Sequence, residues 1–241
     1  PIVPASPIRM GSKIVDGGHL IFDKDQMIEF TSKEPGAIPY LCPLVGSHEY
    51  INGEERWILS LIGVSPATLR SMPLVMERIV AVKAFRKASK KAKTRELAND
   101  PARFEVMTIP KADFLVIPEV SSERREYVPI GWLTPPTIPS NKLLIVYNAM
   151  LSDFGMITSS MHMSWLRSIG GRLKSDFQYS PGIVYNTFPW PETTPKSKAR
   201  VSTLAQAVLD ARAAHPGSTL ADLYDPDVMP PDLRRAHRAL D

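Results

Sequence analysis

A seven-residue segment, Ser-Ser-Glu-Arg-Arg-Glu-Tyr at positions 121–127, holds side chains suited to binding chemistry between apolar runs at residues 114–117 and 128–132. If the segment is extended, its side chains alternate between two faces. Glu123, Arg125 and Tyr127 then share one face, and Ser122, Arg124 and Glu126 share the other. Arginine can donate to guanine O6 and N7, glutamate can accept from a cytosine amino group, and serine or tyrosine can bind phosphate. The candidates for reading bases in a DNA groove are therefore Ser122, Glu123, Arg124, Arg125 and Tyr127.

The same segment also fits a solvated hairpin in which glutamate and arginine side chains pair across strands. Arg124 and Arg125 have acidic neighbours in Glu119 and Glu126 that could neutralise them. Taken alone, the segment favours this second interpretation. Evidence for contact with DNA must therefore come from the distribution of charge along the chain.

The net charge of +4 is concentrated in the middle of the chain. Residues 1–69 carry five basic and eight acidic side chains, residues 70–175 carry seventeen and nine, and residues 176–241 carry seven and eight. The three balances are −3, +8 and −1, as counted from the sequence. This asymmetry is expected if one face of the protein meets a polyanion.

Two stretches within or beside this middle part are candidates for phosphate contacts. Eight basic residues and no acidic residue lie from Arg78 to Arg95. Most basic runs are solvated helix faces, but like charges at helical spacing cost stability without acidic neighbours, which favours phosphate contact. Residues 172–180 add two cations, hydroxyl groups and two aromatic rings. The phosphate candidates are Arg86, Lys87, Lys90, Lys91, Lys93, Arg95, Arg172, Lys174, Ser175 and Tyr179.

Length and composition narrow the class of protein. A chain of 241 residues with 44% hydrophobic and 22% charged residues can form one large domain, or a main domain with a smaller appendage. No apolar run approaches the roughly 18 residues that span a membrane, and residues 1–7 lack a signal-peptide pattern. We therefore expect a soluble, cytoplasmic protein with no membrane partner. The single cysteine, Cys42, excludes an internal disulfide and a cysteine-based zinc site.

The pattern of elements predicts an α+β fold: an irregular, proline-rich mixed sheet, several packed helices and a helical C-terminal tail. Proline is unusually frequent, at 23 of 241 residues, and prolines after apolar runs indicate short, bulged or edge strands. Strands are predicted at residues 13–15, 56–62, 114–117, 128–132 and 142–150, while 19–22 fits either a strand or the start of a helix. Helices are predicted at residues 65–71, from 73 onward, at 157–169, from Pro195, and around 220–224 and 231–240.

Six segments, in order along nearly the whole chain, resemble the C-terminal part of MmeI-like DNA methyltransferases. They are residues 44–47, 72–78, 120–131, 160–163, 171–176 and 184–191. The resemblance implies a target recognition domain at residues 1–191, which selects a sequence in double-stranded DNA, and a C-terminal helical region at residues 192–241. It assigns no base to any individual side chain.

The resemblance also implies what the parent protein does. Its N-terminal methyltransferase domain would be a partner of this chain and would transfer a methyl group from S-adenosylmethionine to adenine N6, with or without an accompanying endonuclease. The adenine methylase motif of Asn, Asp or Ser, then Pro-Pro and an aromatic residue, is not matched at either Pro-Pro pair, residues 135–136 or 230–231. No glycine-rich strand-to-helix turn or nuclease signature is present either. We therefore expect this fragment to bind no cofactor and to perform no catalysis itself.

The predicted mechanism is recognition, with two alternatives. In that mechanism the basic helix and the 172–179 loop hold phosphates, and strands around residues 123–125 read base edges in the major groove. The first alternative is a protein-interaction module whose basic helix docks an acidic partner. The second is a hydrolase using Ser159, Ser160 and His162, although no strained nucleophile turn supports it.

Overall fold

A computed structural model describes residues 6–241. Residues 1–5, part of the stretch that lacks a signal-peptide pattern, lie outside this range. The strands are β1 (Ile8–Met10), β2 (Ile21–Phe22), β3 (Leu41–Val45), β4 (Trp57–Leu59), β5 (Phe114–Pro118), β6 (Val120–Ser121), β7 (Gly131–Leu133), β8 (Ile138–Pro139), β9 (Leu143–Tyr147), β10 (Gly171–Leu173) and β11 (Asp176–Gln178). The α-helices are α1 (Lys24–Lys33), α2 (Ser47–Asn52), α3 (Pro66–Arg70), α4 (Pro73–Lys87), α5 (Ala92–Glu96), α6 (Leu151–Thr158), α7 (Ser160–Ile169), α8 (Pro195–Ala213), α9 (Leu220–Leu223) and α10 (Pro231–Leu240).

The central antiparallel sheet has the strand order β1-β9-β5-β7. All five residues of β5 are buried, because opposite faces of the strand enter different hydrophobic clusters. Leu115 and Ile117 face the large cluster beneath α6, α7 and α8, whereas Phe114 and Val116 face a small cluster on the other side. Burial on both faces explains why this strand is a continuous apolar run rather than an alternating one.

A second sheet, β2-β4-β3-β8, belongs to the N-terminal half of the chain. Strands β3 and β8 are parallel, and the other pairs in this sheet are antiparallel. The sheet shares a hydrophobic cluster with α1 and α4, which contribute Phe30 and Val75, Ile79 and Val82 respectively. Helix α4, which packs in this cluster, contains the first part of the basic stretch that the sequence analysis singled out.

The third sheet is small and has the order β10-β11-β6. Its strands are antiparallel, with Phe177 opposite Ser121 and Leu173 opposite Asp176. Residues 172–180, described above as loop-like, thus form a hairpin. The hairpin escaped detection because its residues are mostly polar, and alternation around Phe177 is too short to be recognised.

The helical C-terminal part packs directly on the rest of the chain. Gly155 in α6 lies so close to α8 that a Cβ atom there would approach Val201 Cγ1 to 2.6 Å. Ala205 and Val208 of α8 are buried in the large cluster, as is Leu233 of α10. The α+β class and the helical tail are therefore confirmed.

Several predicted elements differ in detail from the structure. The strand predicted at residues 13–15 is reduced to bridges at Ser12 and Lys13. The single helix predicted at residues 157–169 is two helices, because Ser159 leaves the helical conformation and caps α7. Strand β1 was missed, since three residues followed by a glycine carry little periodic signal.

Candidate nucleic-acid interface

Residues 122–127 form a turn rather than the extended strand that alternation requires. The Arg125 N–H donates to the Ser122 carbonyl (3.2 Å), and the Glu123 N–H donates to the Asp176 carboxylate on β11 (3.3 Å). We call residues 122–127 the charged turn. The predicted two-faced arrangement is wrong, because local hydrogen bonding and Asp176 bend the chain directly after β6.

The charged turn still presents most of the predicted base-reading side chains to solvent. Glu123 and Arg124 are exposed, whereas Ser122 and Arg125 are half-buried. Arg125 Nη1 donates to Ser121 Oγ (3.3 Å), which fixes the direction of the guanidinium. Burial lowers the pKa of Arg125, and the carboxylates of Asp176 and Asp225 oppose that shift. A group held in this partly desolvated position interacts more strongly with a charged partner than one in open water.

Tyr127 does not belong with the exposed candidates. It is 2% exposed, its ring stacks on His237 with centroids 4.0 Å apart, and its hydroxyl donates to Asp241 Oδ2 at 2.6 Å. Burial, followed by the hydrogen bond to Asp241, raises the pKa of Tyr127. We correct its assignment as a base reader, because a side chain enclosed in this way supports the turn from behind.

Arg172, Lys174 and Ser175 lie on the hairpin of β10 and β11, which we call the basic hairpin (residues 171–178). All three side chains are exposed. Lys174 and Ser175 form its two-residue turn, where Lys174 has a φ of 57°. The Arg172 guanidinium lies 4.3 Å from the centre of the Phe177 ring, a cation–π contact that directs it along the hairpin. Because β11 pairs with β6, the structure brings the basic hairpin and the charged turn onto one sheet.

Tyr179 follows this hairpin but is not a phosphate contact. It is 3% exposed, and its hydroxyl lies 2.8 Å from Nε2 of the fully buried His162. Burial raises the pKa of Tyr179 well above its usual range. The alternative that Tyr179 is simply a core residue is therefore the correct one.

Lys87, Lys90, Lys91, Lys93 and Arg95 are exposed at the end of α4 and the start of α5; we call residues 87–95 the basic segment. Arg95 Nη1 donates to the carbonyls of Ser89 and Lys90 at 2.9 and 2.8 Å, which shapes the loop. The basic segment continues from α4, whose buried face packs in the N-terminal cluster, whereas the basic hairpin belongs to the third sheet. The phosphate candidates thus occupy two separate elements.

Arg86 is the exception within that stretch, because its side chain is completely buried. Its guanidinium donates to five backbone carbonyls at 2.8 to 3.1 Å, those of Ile14, Val15, Leu97, Asp100 and Arg103. All five N–H donors of the side chain are used in this way. Arg86 joins three segments of backbone and cannot reach a phosphate, so its assignment as a phosphate contact is wrong.

A cleft that the sequence analysis missed separates α2 from the third sheet. Its two adjoining parts, about 300 and 270 Å³ in volume, share Ser47, His48 and Val120. Arg125 lines one part and Lys142 lines the other. Two cations of the larger part pair with acids: Lys142 Nζ lies 3.1 Å from Glu119, and Arg56 lies 3.2 Å from Glu49. Three of the resembling segments, residues 44–47, 120–131 and 171–176, contribute residues to the lining of this cleft.

Ser159 and His162 of the hydrolase hypothesis have structural roles. Ser159 Oγ accepts from the His162 N–H as the N-cap of α7, and His162 Nε2 contacts Tyr179 rather than a serine. Burial lowers the pKa of His162 to about 3.

Among residues 6–241, no three His, Cys, Asp or Glu side chains are grouped to hold a metal ion. No helix in this part of the chain is long and apolar enough to cross a membrane.

Comparison with known proteins identifies the class and then the family. A family model described as a target recognition domain matches residues 1–192, and one described as a C-terminal domain matches residues 193–241. Both models are those of MmeI, and the chain belongs to the MmeI family. The resemblance found in the sequence is confirmed.

Two relatives match the whole chain. DNA methyltransferase A of Bacillus subtilis (strain 168) is 37% identical over 241 residues, which is 100% of this chain and 27% of that protein. The structure of the type IIL restriction-modification enzyme MmeI in complex with DNA is 40% identical, with a TM-score of 0.98 over 100% of this chain and 32% of that chain. This chain therefore spans about a third of these relatives, or less.

A more distant structure shows the same fold alone. The type IIG restriction endonuclease BpuSI aligns with 98% of this chain and 29% of its own, with a TM-score of 0.51 and 11% identity.

Proposed function

We propose that this chain recognises a specific sequence in double-stranded DNA for the methyltransferase part of a longer protein. The observation that carries this proposal is the whole-chain match, at 40% identity and a TM-score of 0.98, to MmeI in complex with DNA. The position of the charged turn and the basic hairpin on one sheet supports it, because base-reading and phosphate-holding side chains then approach one duplex together.

Within this proposal, base readout falls to Ser122, Glu123, Arg124 and Arg125, with Tyr127 holding the turn from within. Arg125 is the strongest candidate, since it combines a fixed direction with partial burial. A bidentate arginine–guanine contact discriminates between bases by about 1–3 kcal/mol. Phosphate contacts fall to Arg172, Lys174 and Ser175 on the basic hairpin and to the exposed cations of the basic segment.

The longer protein is proposed to be a cytoplasmic, S-adenosylmethionine-dependent adenine-N6 DNA methyltransferase, with or without an endonuclease. The name of the Bacillus relative and the 27% of its length that this chain covers support a separate catalytic part. The glycines described here do not fit the cofactor. Gly17 and Gly18 have positive φ but precede β2, and Gly63 is a single glycine between β4 and α3, so none of them forms a glycine-rich turn from a strand into a helix. We therefore assign S-adenosylmethionine and all catalytic steps to the N-terminal methyltransferase domain.

The test is binding of the chain, and of the full-length protein, to a pool of randomised duplexes at moderate salt, with sequencing of the bound fraction. Enrichment of one short motif is expected. Arg125→Ala should relax that motif at one base position, whereas Arg235→Ala, which removes an exposed arginine from α10, should leave it unchanged.

Two other outcomes would argue against the proposal. Salt-sensitive binding without enrichment would indicate a module that holds phosphates only. Absence of DNA binding would favour the protein-interaction hypothesis, in which the basic segment docks an acidic partner.

A further inference from the structure

Three of the six residues in the charged turn contact the C-terminal region, which we define as residues 193–241. Arg124 forms an ion pair with Asp227. Glu126 lies 3.8 Å from Arg234 of α10. Tyr127 contacts both His237 and Asp241. A turn expected to read bases is thus attached at three positions to a different part of the chain.

Among these contacts the Tyr127 and His237 side chains are buried, whereas Asp241 is exposed, and both partners of Tyr127 are themselves held by further contacts. One oxygen of the Asp241 side chain accepts from the Tyr127 hydroxyl at 2.6 Å, and the other accepts from the Ser160 N–H at the start of α7 at 2.7 Å. Both carboxylate oxygens are therefore engaged. The carboxylate holds the end of the charged turn at a set distance from α7.

The ring of Tyr127 is fixed as well. It stacks on His237, which is fully buried and whose Nε2 lies 2.8 Å from the Tyr224 hydroxyl. Arg212 of α8 donates to the same hydroxyl at 2.6 Å, and its Nη1 donates to the Ile130 carbonyl, also at 2.6 Å. A continuous series of contacts thus leads from α8 through His237 to Tyr127, and returns to the backbone three residues beyond it.

The two exposed ion pairs play a smaller part. The side chains of Arg124 and Asp227 are 60% and 74% exposed, and pairs of this kind contribute little to stability. They bias the direction in which the outer side chains point. The fixed geometry of the turn depends on the enclosed Tyr127 contacts.

We propose that the C-terminal region is part of the base-reading apparatus, with Asp241 as a positioning residue that acts through Tyr127. This inference rests on the proposed function. Direct readout needs donors and acceptors held close to their productive geometry, so a loosened turn loses discrimination. Phosphate contacts tolerate such loosening, because they act mainly through charge.

The test uses the full-length protein with Tyr127→Phe, which removes the hydroxyl donor, and with Asp241→Asn, which replaces the charged acceptor by a neutral amide. Both substitutions keep nearly the same shape. Asp232→Asn is the matched control. Asp232 lies on the same helix and pairs with His215 at 3.0 Å, without contacting the charged turn. Dissociation constants are measured for the enriched duplex and for a scrambled duplex, and thermal unfolding verifies that each variant is folded.

Asp241→Asn and Tyr127→Phe should each weaken binding to the enriched duplex by about three- to tenfold, the effect of losing one hydrogen bond or its charged acceptor. Binding to the scrambled duplex should not change. The specificity ratio, which is the dissociation constant for the scrambled duplex divided by that for the enriched duplex, therefore decreases. The double variant should be no worse than the more affected single variant, because both substitutions act on the same contact between Tyr127 and Asp241. Asp232→Asn should resemble the wild type.

An equal loss on both duplexes, or wild-type ratios in both variants, would overturn the proposal. Additive effects in the double variant would also contradict it. If the wild type itself enriches no motif, the proposed function fails instead, and this outcome is distinguishable because it appears before any substitution is made.

Discussion

Arg86 illustrates how a residue's position can matter more than its charge. It occurs in a run of cations without acidic neighbours, and the sequence analysis grouped it with the phosphate contacts. Val75, Ile79 and Val82 precede it at helical spacing on the buried face of α4, and Arg86 continues that face. Phe85, the apolar residue directly before it, is instead 44% exposed. The helical period was therefore more informative at this position than residue type.

We predict that Arg86→Ala destabilises the protein by more than about 3 kcal/mol, because each buried carbonyl left without a donor costs about 1–3 kcal/mol. Five carbonyls would lose their donor at once. Urea denaturation would measure the change. Lys87→Ala, at the exposed neighbouring position, should stay within about 0.5 kcal/mol of the wild type. Equal stabilities for the two variants would show that the buried network contributes nothing.

At the scale of elements, the sequence predicts long apolar strands and capped helices better than short polar ones. β5, β9 and α4 were found because their apolar runs are long. α3 was found because Ser65 caps it and Pro66 occupies its first turn. The basic hairpin and the charged turn were not, because their conformations depend on contacts such as Asp176 with Glu123, which join positions 53 residues apart. Part of the candidate interface was thus visible as residue types but not as geometry.

The basic segment and the charged turn belong to different elements, so their contributions to DNA binding should separate. Replacing Lys90, Lys91 and Lys93 together with glutamine should reduce the slope of log K against log salt by about 0.9 for each phosphate that the protein no longer neutralises. The ratio between enriched and scrambled duplexes should remain constant, since phosphate contacts carry no base information.

Binding titrations from low to moderate salt would measure this slope. The comparison is Lys196→Gln with Lys198→Gln on α8, two exposed lysines outside both elements. An unchanged slope in the Lys90, Lys91 and Lys93 variant would place the basic segment away from DNA and leave it free to dock an acidic partner.

At the scale of the whole molecule, the large hydrophobic cluster unites both parts of the chain. It contains Tyr127 and Tyr179 from the target recognition domain and Tyr224 and Leu233 from the C-terminal region. Two buried histidines, His162 and His237, lie against it, and each contacts a buried tyrosine hydroxyl at 2.8 Å. Both parts are thus expected to unfold together.

These histidines predict how stability depends on pH. Burial lowers the pKa of His162 and His237 to about 3 from an ordinary value of 6.5, and Arg212 adds to the shift of His237. Because the folded pKa is the lower one, the unfolded chain binds protons first. The stabilisation is complete above pH 6.5 and is lost as the pH falls toward 3. The free energy of unfolding should fall by about 2 kcal/mol per histidine between pH 7 and pH 5.

Urea denaturation at the two pH values would test this. His162→Gln should be less stable at pH 7 but should lose less stability on acidification, since one titrating group is gone. Identical pH dependence in wild type and variant would mean that His162 is not responsible. The comparison stays above pH 5 because carboxylates with lowered pKa values, such as Glu105 and Asp232, titrate below it.

The contact between Tyr127 and Asp241 spans 114 positions of the chain. A ribosome adds about 5–20 residues per second, so the support for the charged turn is synthesised on the order of ten seconds after the turn itself. During that interval the nascent protein already carries its cations but has no fixed geometry at the turn. A product truncated between Leu233 and Asp241 would keep the buried residues of the shared cluster but would remain in that condition permanently. We expect such a product to bind nucleic acid of any sequence and to compete with the complete protein.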